Sequence, residues 1–528
     1  MYGKVNGAVL LGLSAALIKV ETDARHGLPG FDMVGLLSSE VREARERVKT
    51  ALANSGFLIP ALKITTNLSP ADLRKQGNYL DLPIAVSVLA ALGELPCEFT
   101  ENTIFIGELG LDGSLRPVNG LLAIMDSILE THPPEETVFF VPSANEQEIS
   151  VLLGKCPNIF CFSDLSGLIC ALSDFSCTGL LPIDHVAGTQ KSFPGSDRHS
   201  APSTVDFADI YGQESLKRAA EIAAAGMHNL LMTGMPGAGK TMIANAIPGI
   251  LPPMSLDEQI EVTKIYSAGG LLEPGSGLIL QRPFRAPHHS CTPVALSGGG
   301  TGNHMKPGEV SFANRGVLFL DEFPEFRREA VEILRQPLES GSVTLSRANA
   351  SCTYPARIML VAARNPCPCG FFPDRSRCLC SEKEILNYQK KISGPILDRI
   401  DLFAQASPVS YQEVEHSIHR ARAPQAVPES SADIRRRVEH VHEIQSRRYS
   451  RLKDIYFNSQ LPVSLLPEFC PLDSSCRELL ERIYQAFALS ARGCHRLVRI
   501  ARTIADLSDS PDITTDHLAE AVQYRPGL

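Results

Sequence analysis

The sequence predicts an α/β chain with a parallel-sheet core, a smaller α+β unit ahead of it and a helical end. Three observations carry this. Short apolar runs at 230–233, 316–320 and 358–362 alternate with helical patterns, the rhythm of a parallel sheet. Before them, residues 1 to about 175 mix short apolar runs with helix-period segments, and after Pro408 the chain reads as nearly all helical. At 528 residues the chain is long enough for three or four packing units with full cores.

Each element follows from a local pattern. Residues 41–54 set Val41, Ala44, Val48 and Leu52 on one helical face, with charges on the other. Residues 82–92 are small and apolar, suited to a buried helix, while 103–106 and 138–141 read as strands. From 177 to 205 the pattern dissolves into Gly, Pro, Ser, Thr and His, the composition of a linker. The expected division is therefore 1–175, a linker at 176–205, a core at 206–406 and a helical lid at 407–528. The clearest lid helices span 476–489 and 493–507.

Composition narrows the function classes. A net charge of −9, with 44 % hydrophobic and 21 % charged residues, excludes a disordered chain and a globally basic nucleic-acid coat. A local basic surface remains compatible with it. Fourteen cysteines are too few for a disulfide-stapled domain, and several fall at metal-ligand spacing, which fits a reducing compartment. The apolar start at 5–20 imitates a leader, but Ser14 interrupts it and Lys19, Glu21 and Asp23 follow. The reading is a soluble cytoplasmic protein with no membrane partner.

Gly234-Met235-Pro236-Gly237-Ala238-Gly239-Lys240-Thr241 has the spacing of a phosphate-binding loop, set between a strand and a helix. Gly234, Pro236, Gly237 and Gly239 shape the loop, Lys240 reaches the β- and γ-phosphates of ATP, and Thr241 ligates Mg²⁺. Its partner is Gly316-Val317-Leu318-Phe319-Leu320-Asp321-Glu322, four apolar residues ending in two acids at a strand's carboxyl end. Asp321 is expected in the Mg²⁺ shell and Glu322 as the base for the attacking water. Asn365, after the strand at 358–362, stands where a polar side chain senses the γ-phosphate; alone it reads equally as a turn residue.

This order resembles the AAA+ ATPases, and within them the magnesium-chelatase-like branch and its YifB/ComM family. The resemblance spans essentially the whole chain. It rests on Pro283-Phe284-Arg285-Ala286-Pro287-His288-His289-Ser290, the Asp-Glu strand, Asn365-Pro366-Cys367-Pro368-Cys369-Gly370, the run at 392–401, and Ala501-Arg502-Thr503-Ile504-Ala505-Asp506-Leu507. It implies an AAA+ core with a helical lid, assembled as a homo-hexameric ring with ATP at subunit interfaces. It makes Arg399 the arginine finger and Arg492 the second sensor, with Arg496 one turn on as the alternative. From the residues alone, Arg399 also reads as a surface arginine paired with Asp398 or Asp401. Whether Arg492 serves its own subunit or a neighbour is open at this stage.

Cys367, Cys369, Cys378 and Cys380 form C-x-C-x₈-C-x-C, tighter than a standard zinc knuckle. A structural Zn²⁺, free thiols and a redox disulfide are the three readings, and the other cysteines are expected in the core. In the first unit, Gly107-Glu108-Leu109-Gly110-Leu111-Asp112-Gly113 and Leu80-Asp81-Leu82-Pro83 resemble the Lon-type protease fold. Ile84 and Leu122 stand where active members carry the Ser and Lys, so the domain reads as a catalytically inactive relative.

About seventy residues separate the phosphate-loop helix from the Asp-Glu strand, and they hold a Gly-rich run at 297–303 followed by Lys306. A hairpin is expected at 341–356, with Arg347 at its turn. Lys306 and Arg347 are candidate contacts to DNA phosphates, and each also reads as a solvated loop tip. Arg436, His440, Arg447 and Arg451 share a helical face that reads as a DNA stripe or a solvated surface. Adjacent His288 and His289 read as packing or loop-positioning residues. The resemblance makes the chain an ATP-driven DNA motor, a helicase driving branch migration in recombination and natural transformation. The alternative is a protein-remodelling or chelatase-type motor subunit.

Overall fold

The computed structural model describes residues 1–96, 99–173, 205–301, 304–347, 350–407, 429–452 and 455–525. The predicted linker lies outside the described residues but for Val205. The apolar start is not a helix. It is a hairpin of β1 (Tyr2–Leu11) and β2 (Ser14–Arg25), paired antiparallel from Leu11↔Ser14 to Tyr2↔Asp23. Around it β3 (Gly30–Val34), β4 (Lys63–Ser69), β5 (Thr103–Phe105), β8 (Val138–Pro142) and β9 (Ile159–Phe162) complete a mixed sheet of order β3-β4-β2-β1-β5-β8-β9. The short β6 (Glu108–Leu109) and β7 (Leu115–Arg116) form a separate ribbon.

Two of the helices that pack on this sheet form as their patterns predict. Ser39–Asn54 starts at the Ser38 cap and buries Val41, Ala44, Val48, Ala51 and Leu52. Asp81–Leu92 is buried from Asp81 to Ala91. Its buried acid is held by the Arg47 fork, Nε to Oδ2 at 2.8 Å and Nη2 to Oδ1 at 2.9 Å.

The second sheet contains β10 (Leu230–Thr233), β11 (Phe284–Arg285), β14 (Val317–Leu320), β17 (Met359–Arg364) and β18 (Leu402–Gln405), in the order β11-β14-β17-β10-β18. Every pairing in it is parallel. Side chains alternate between two cores, which is why its strands read as unbroken apolar runs. Val317, Phe319, Met359 and Val361 join a core with Ile434, Val438, Leu497, Ile500 and Ile504 of the helical end. Leu318, Leu320, Leu360 and Ala362 face Leu296, Val310, Phe323 and Leu334. The lid helices observed are Ser431–Arg448, Ser474–Ala486, Ala491–Leu507 and Thr515–Val522.

Two hairpins leave this core. One pairs β12 (Gly298–Thr301) with β13 (His304–Pro307), the other β15 (Ser342–Arg347) with β16 (Ala350–Pro355). The Tyr354 hydroxyl donates to Met305 O at 2.5 Å, so the hairpins are tied together. The β1–β2 turn presses on the second: a Cβ at Gly12 would lie 1.9 Å from Cys352 Sγ. No described helix is long and apolar enough to cross a membrane.

The first unit also grips the helix Leu256–Gly269. The Ser267 hydroxyl donates to Glu148 Oε1 at 2.5 Å and accepts the Gly120 N–H at 2.7 Å, while Lys264 pairs with Asp126. Burial pushes the Glu148 carboxyl up, opposed by Ser267, Asn145 and the Leu122 N–H. Ser267→Val therefore strands the buried Gly120 N–H and leaves Glu148 Oε1 with the Leu122 N–H alone. The expected cost is about 1–3 kcal/mol, read as a lower urea midpoint for the transition that separates the two units. An unchanged midpoint would mean that this contact contributes nothing.

Candidate nucleotide site and arginine cleft

The parallel register sets Thr233 beside Arg364 and Leu320 beside Ala362, so three strands end at one edge. From that edge emerge the phosphate loop, Asp321-Glu322 and Asn365. Gly237 and Gly239 take φ values of 78° and 81°, the left-handed region in which side chains are strained and backbone N–H groups form anion-binding hollows. Lys240 is 7 % exposed, and its ammonium donates to Gly234 O at 2.6 Å, Met235 O at 2.9 Å and Asn365 Oδ1 at 3.3 Å. Burial lowers its pKa, and the Asp321 carboxylate works against that. Lys240 and Asn365, 125 residues apart in sequence, are thus brought into direct contact.

The Thr241 hydroxyl donates to Asp321 Oδ2 at 2.9 Å. These two hard oxygen donors, side by side at the end of the loop, fit a divalent cation of the Mg²⁺ class. Glu322 is exposed and holds φ at 51°, with its N–H donating to Asp321 Oδ1 at 2.8 Å. A non-glycine residue in this conformation is strained, and such strain concentrates at functional positions. His289 Nδ1 lies 3.1 Å from Glu322 Oε2, while His288 turns to Ser290. His288 thus bonds within its own loop, while His289 meets the acid expected to act as base.

Arg399 lies elsewhere. It precedes β18, at the edge where the core strands begin, and four strand residues, about 13 Å, separate that edge from the phosphate loop. Its guanidinium donates to Glu339 Oε2 at 2.6 Å and Pro395 O at 2.7 Å, not to Asp398 or Asp401. Arg399, followed by Arg492, holds the Glu339 carboxyl below its usual range. Arg492, exposed at the start of Ala491–Leu507, lines the same cleft of about 760 Å³. Seven arginines and four carboxylates line that cleft. Arg496, the alternative second sensor, is 8 % exposed and committed to Asp398 O at 2.7 Å and the Asp401 carboxylate at 3.8 Å.

The four clustered cysteines are free thiols whose sulfurs all lie within 4.8 Å of one another. Cys367, Cys369 and Cys378 are 3.4, 3.7 and 3.5 Å apart pairwise, an arrangement compatible with Zn²⁺. The Phe371 N–H, followed by the neighbouring sulfurs, draws the Cys369 thiol down to about 6. The expectation that the remaining cysteines are core fails for most described ones. Cys156, Cys470 and Cys476 are buried, Cys161, Cys291, Cys352 and Cys494 are half-buried, and Cys170 is exposed. Lys306 is exposed on β13 opposite Gly299, and Arg347 ends β15 with its side chain outside the described set. On the suspected stripe, Arg436 pairs with Asp433, His440 with Asp509 and Arg447 with Glu443.

Models of three magnesium-chelatase segments match along the chain. These are "Magnesium chelatase, subunit ChlI" over 206–414, "Subunit ChlI of Mg-chelatase" over 20–145, and "Magnesium chelatase, subunit ChlI C-terminal" over 428–525. The competence protein ComM of Haemophilus influenzae is 38 % identical over 525 residues, covering 98 % of this chain and 96 % of its own. YifB of Salmonella typhimurium is 40 % identical over 522 residues, covering 99 % and 96 %. The chain belongs to the YifB/ComM family of magnesium-chelatase-like AAA+ proteins. The magnesium-chelatase 38 kDa subunit of Rhodobacter capsulatus is similar over a smaller part, 28 % identical across 30 % of this chain and 50 % of its own. Membership brings with it the ATP- and Mg²⁺-dependent ATPase chemistry of chelatase-like AAA+ cores.

Within this YifB/ComM chain, sequence reasoning missed the residues that hold the arginine edge together. Asn229 Nδ2 donates to Arg399 O at 2.8 Å and its Oδ1 accepts the Leu360 N–H at 2.9 Å, joining the Arg399 loop to β17. Burial raises the pKa of Asp401, but His228, Arg496 and the Asn229 N–H outweigh it and hold the carboxyl low. Nothing in local sequence marks Asn229, whose partners are 131 and 170 residues away. Asn229→Ala should cost roughly 1–3 kcal/mol, measured as a lowered denaturation midpoint. A wild-type midpoint would show these bonds to be dispensable.

Proposed function

We propose that this chain is a cytoplasmic ATPase that works as a homo-hexameric ring motor on DNA, driving branch migration as a helicase. The observation that carries the ring is the separation of Arg399 and Arg492 from the chain's own phosphate loop. A cleft with seven arginines against four carboxylates is suited to a polyphosphate presented by a neighbouring copy. On this reading both arginines act in trans.

The residues then take the following roles. Backbone N–H groups of Gly237, Ala238 and Gly239, together with Lys240, bind the ATP phosphates. Thr241 and Asp321 are the residues that would hold Mg²⁺, which neutralises charge on the β- and γ-phosphates when bound. Glu322 orients a water and takes its proton as the oxygen attacks the γ-phosphorus and the bond to the β-phosphate bridge breaks. His289 sets the rotamer of Glu322. Asn365, tethered to Lys240, reports the γ-phosphate, and the neighbour's Arg399 stabilises the charge on the transferring group.

Lys306 and Arg347 are proposed to touch DNA phosphate from the two hairpins that Tyr354 ties together. Similarity to a protein named for competence supports DNA as the substrate, in recombination during natural transformation. We keep 1–175 as a domain with a Lon-like fold and no peptidase activity, since Ile84 and Leu122 are apolar and fully buried. The division into a 206–406 core and a 407–528 lid completes this reading.

ATPase rates with and without single-stranded and forked DNA, at fixed salt, test the proposal. DNA should stimulate the wild-type rate strongly and leave Lys240→Ala inactive. A basal rate indifferent to every DNA would favour a protein-remodelling or chelatase-type motor instead. Glu322→Gln should bind ATP while losing hydrolysis by about 10²–10⁴-fold, as expected for a lost general base. Normal turnover in that variant would remove Glu322 from its role.

A further inference from the structure

The four-cysteine cluster touches the nucleotide site at two points. Gly370, next to Cys369, packs on the phosphate loop: with φ at 85°, a Cβ there would lie 2.6 Å from Pro236 Cδ and 2.7 Å from Cγ. On the other side, the helix Glu382–Gln389 places Ile385 in the cysteine cluster and Tyr388 one turn on. The Tyr388 phenol lies close enough to the backbone N–H of Asn365 for that N–H to work against the rise that burial and Glu325 impose on its pKa. Asn365 in turn accepts from Lys240. The sulfurs are therefore one contact away from the loop that binds phosphate and one helix away from the residue facing the γ-phosphate.

The cluster itself is arranged as a site. Its three measured S–S separations, 3.4 to 3.7 Å, match the edge of about 3.8 Å that a tetrahedron of sulfurs around zinc at 2.3 Å requires. The Phe372 N–H points at Cys367 Sγ at 3.4 Å, the kind of outer hydrogen bond that steadies a bound thiolate. Phe371 and Phe372 pack beside the sulfurs, with the guanidiniums of Arg377 and Arg375 at 4.2 and 5.0 Å from their respective ring centres. Arg375 also donates to Cys380 O at 3.0 Å. Two cations close to four thiolates and one divalent ion offset the net negative charge such a site carries.

We propose that Cys367, Cys369, Cys378 and Cys380 bind one structural Zn²⁺, and that the bound ion braces the phosphate loop through Gly370 on Pro236 and Tyr388 on Asn365. With four thiolates the ion has no open position, so it does no chemistry on the nucleotide. Its effect is mechanical. Without it, the loop from Pro366 to Cys380 loses its cross-link, and Pro236 and Asn365 lose their backing. The inference rests on the assignment of 234–241 as the ATP site.

The test uses the full chain, expressed in zinc-replete medium, with metal content by mass spectrometry and binding of a fluorescent ATP analogue as separate readouts. The wild type should carry about one zinc per chain. Cys378→Ser/Cys380→Ser should lose it and bind the analogue at least about tenfold more weakly. Gly370→Ala keeps every thiol but drives a methyl into Pro236. It should retain the zinc and still lose affinity, which separates the brace from any collapse caused by metal loss. A zinc-free wild type would overturn the site. Wild-type affinity in Gly370→Ala, or in the zinc-free double variant, would overturn the brace. If Lys240→Ala binds the analogue as well as wild type does, the ATP-site assignment fails instead, whatever the zinc content.

Discussion

One constraint organises the catalytic half of this molecule: all five strands of the core sheet run the same way. Carboxyl ends of parallel strands collect at one edge and amino ends at the other. The phosphate loop, the Asp321-Glu322 pair and Asn365 follow strands and so share the first edge. Asn229, Arg315 and Arg399 precede strands and so share the second. Flexible side chains do not remove a separation set by strand length. On the proposed reading the chain carries the parts of an ATPase site on opposite edges, and a second copy would bring them together.

The rest of the fold ties mobile-looking parts to that sheet. The hairpin β15–β16 runs straight into β17, whose end carries Asn365. Tyr354 fastens it to β13, and the β1–β2 turn packs on it at Cys352. β17 thus links the nucleotide edge to both hairpins, with the β1–β2 turn packed behind them. The grip of Ser267 and Glu148 adds a second anchor, so the amino-terminal unit is fixed at two separated points.

Local signals made much of this readable beforehand. The phosphate loop and the Asp-Glu strand were legible because their chemistry depends on adjacent residues. The helices at 39–54 and 81–92 were legible because one face or all faces are apolar. What escaped depends on contacts across the fold. His289 meets Glu322 through a loop that crosses 33 residues, and Glu339 reaches Arg399 across 60. The clustering of Arg492 with Arg399 follows from how the lid packs on the sheet, a matter of three-dimensional register that no motif encodes. The cysteine spacing offered four candidate ligands but not their contact with Pro236, which the left-handed turn at Gly370 creates.

The claim that the site is shared between copies is tested most directly by mixing two inactive variants. Lys240→Ala lacks a working phosphate loop but keeps its arginines; Arg399→Ala has the reverse defect. If the site is completed across subunits, equal mixing of the two should restore about a quarter of wild-type ATPase activity, because one interface in four then pairs two intact halves. Activity that stays at the level of the separate variants, in mixtures shown to exchange subunits, would contradict the account.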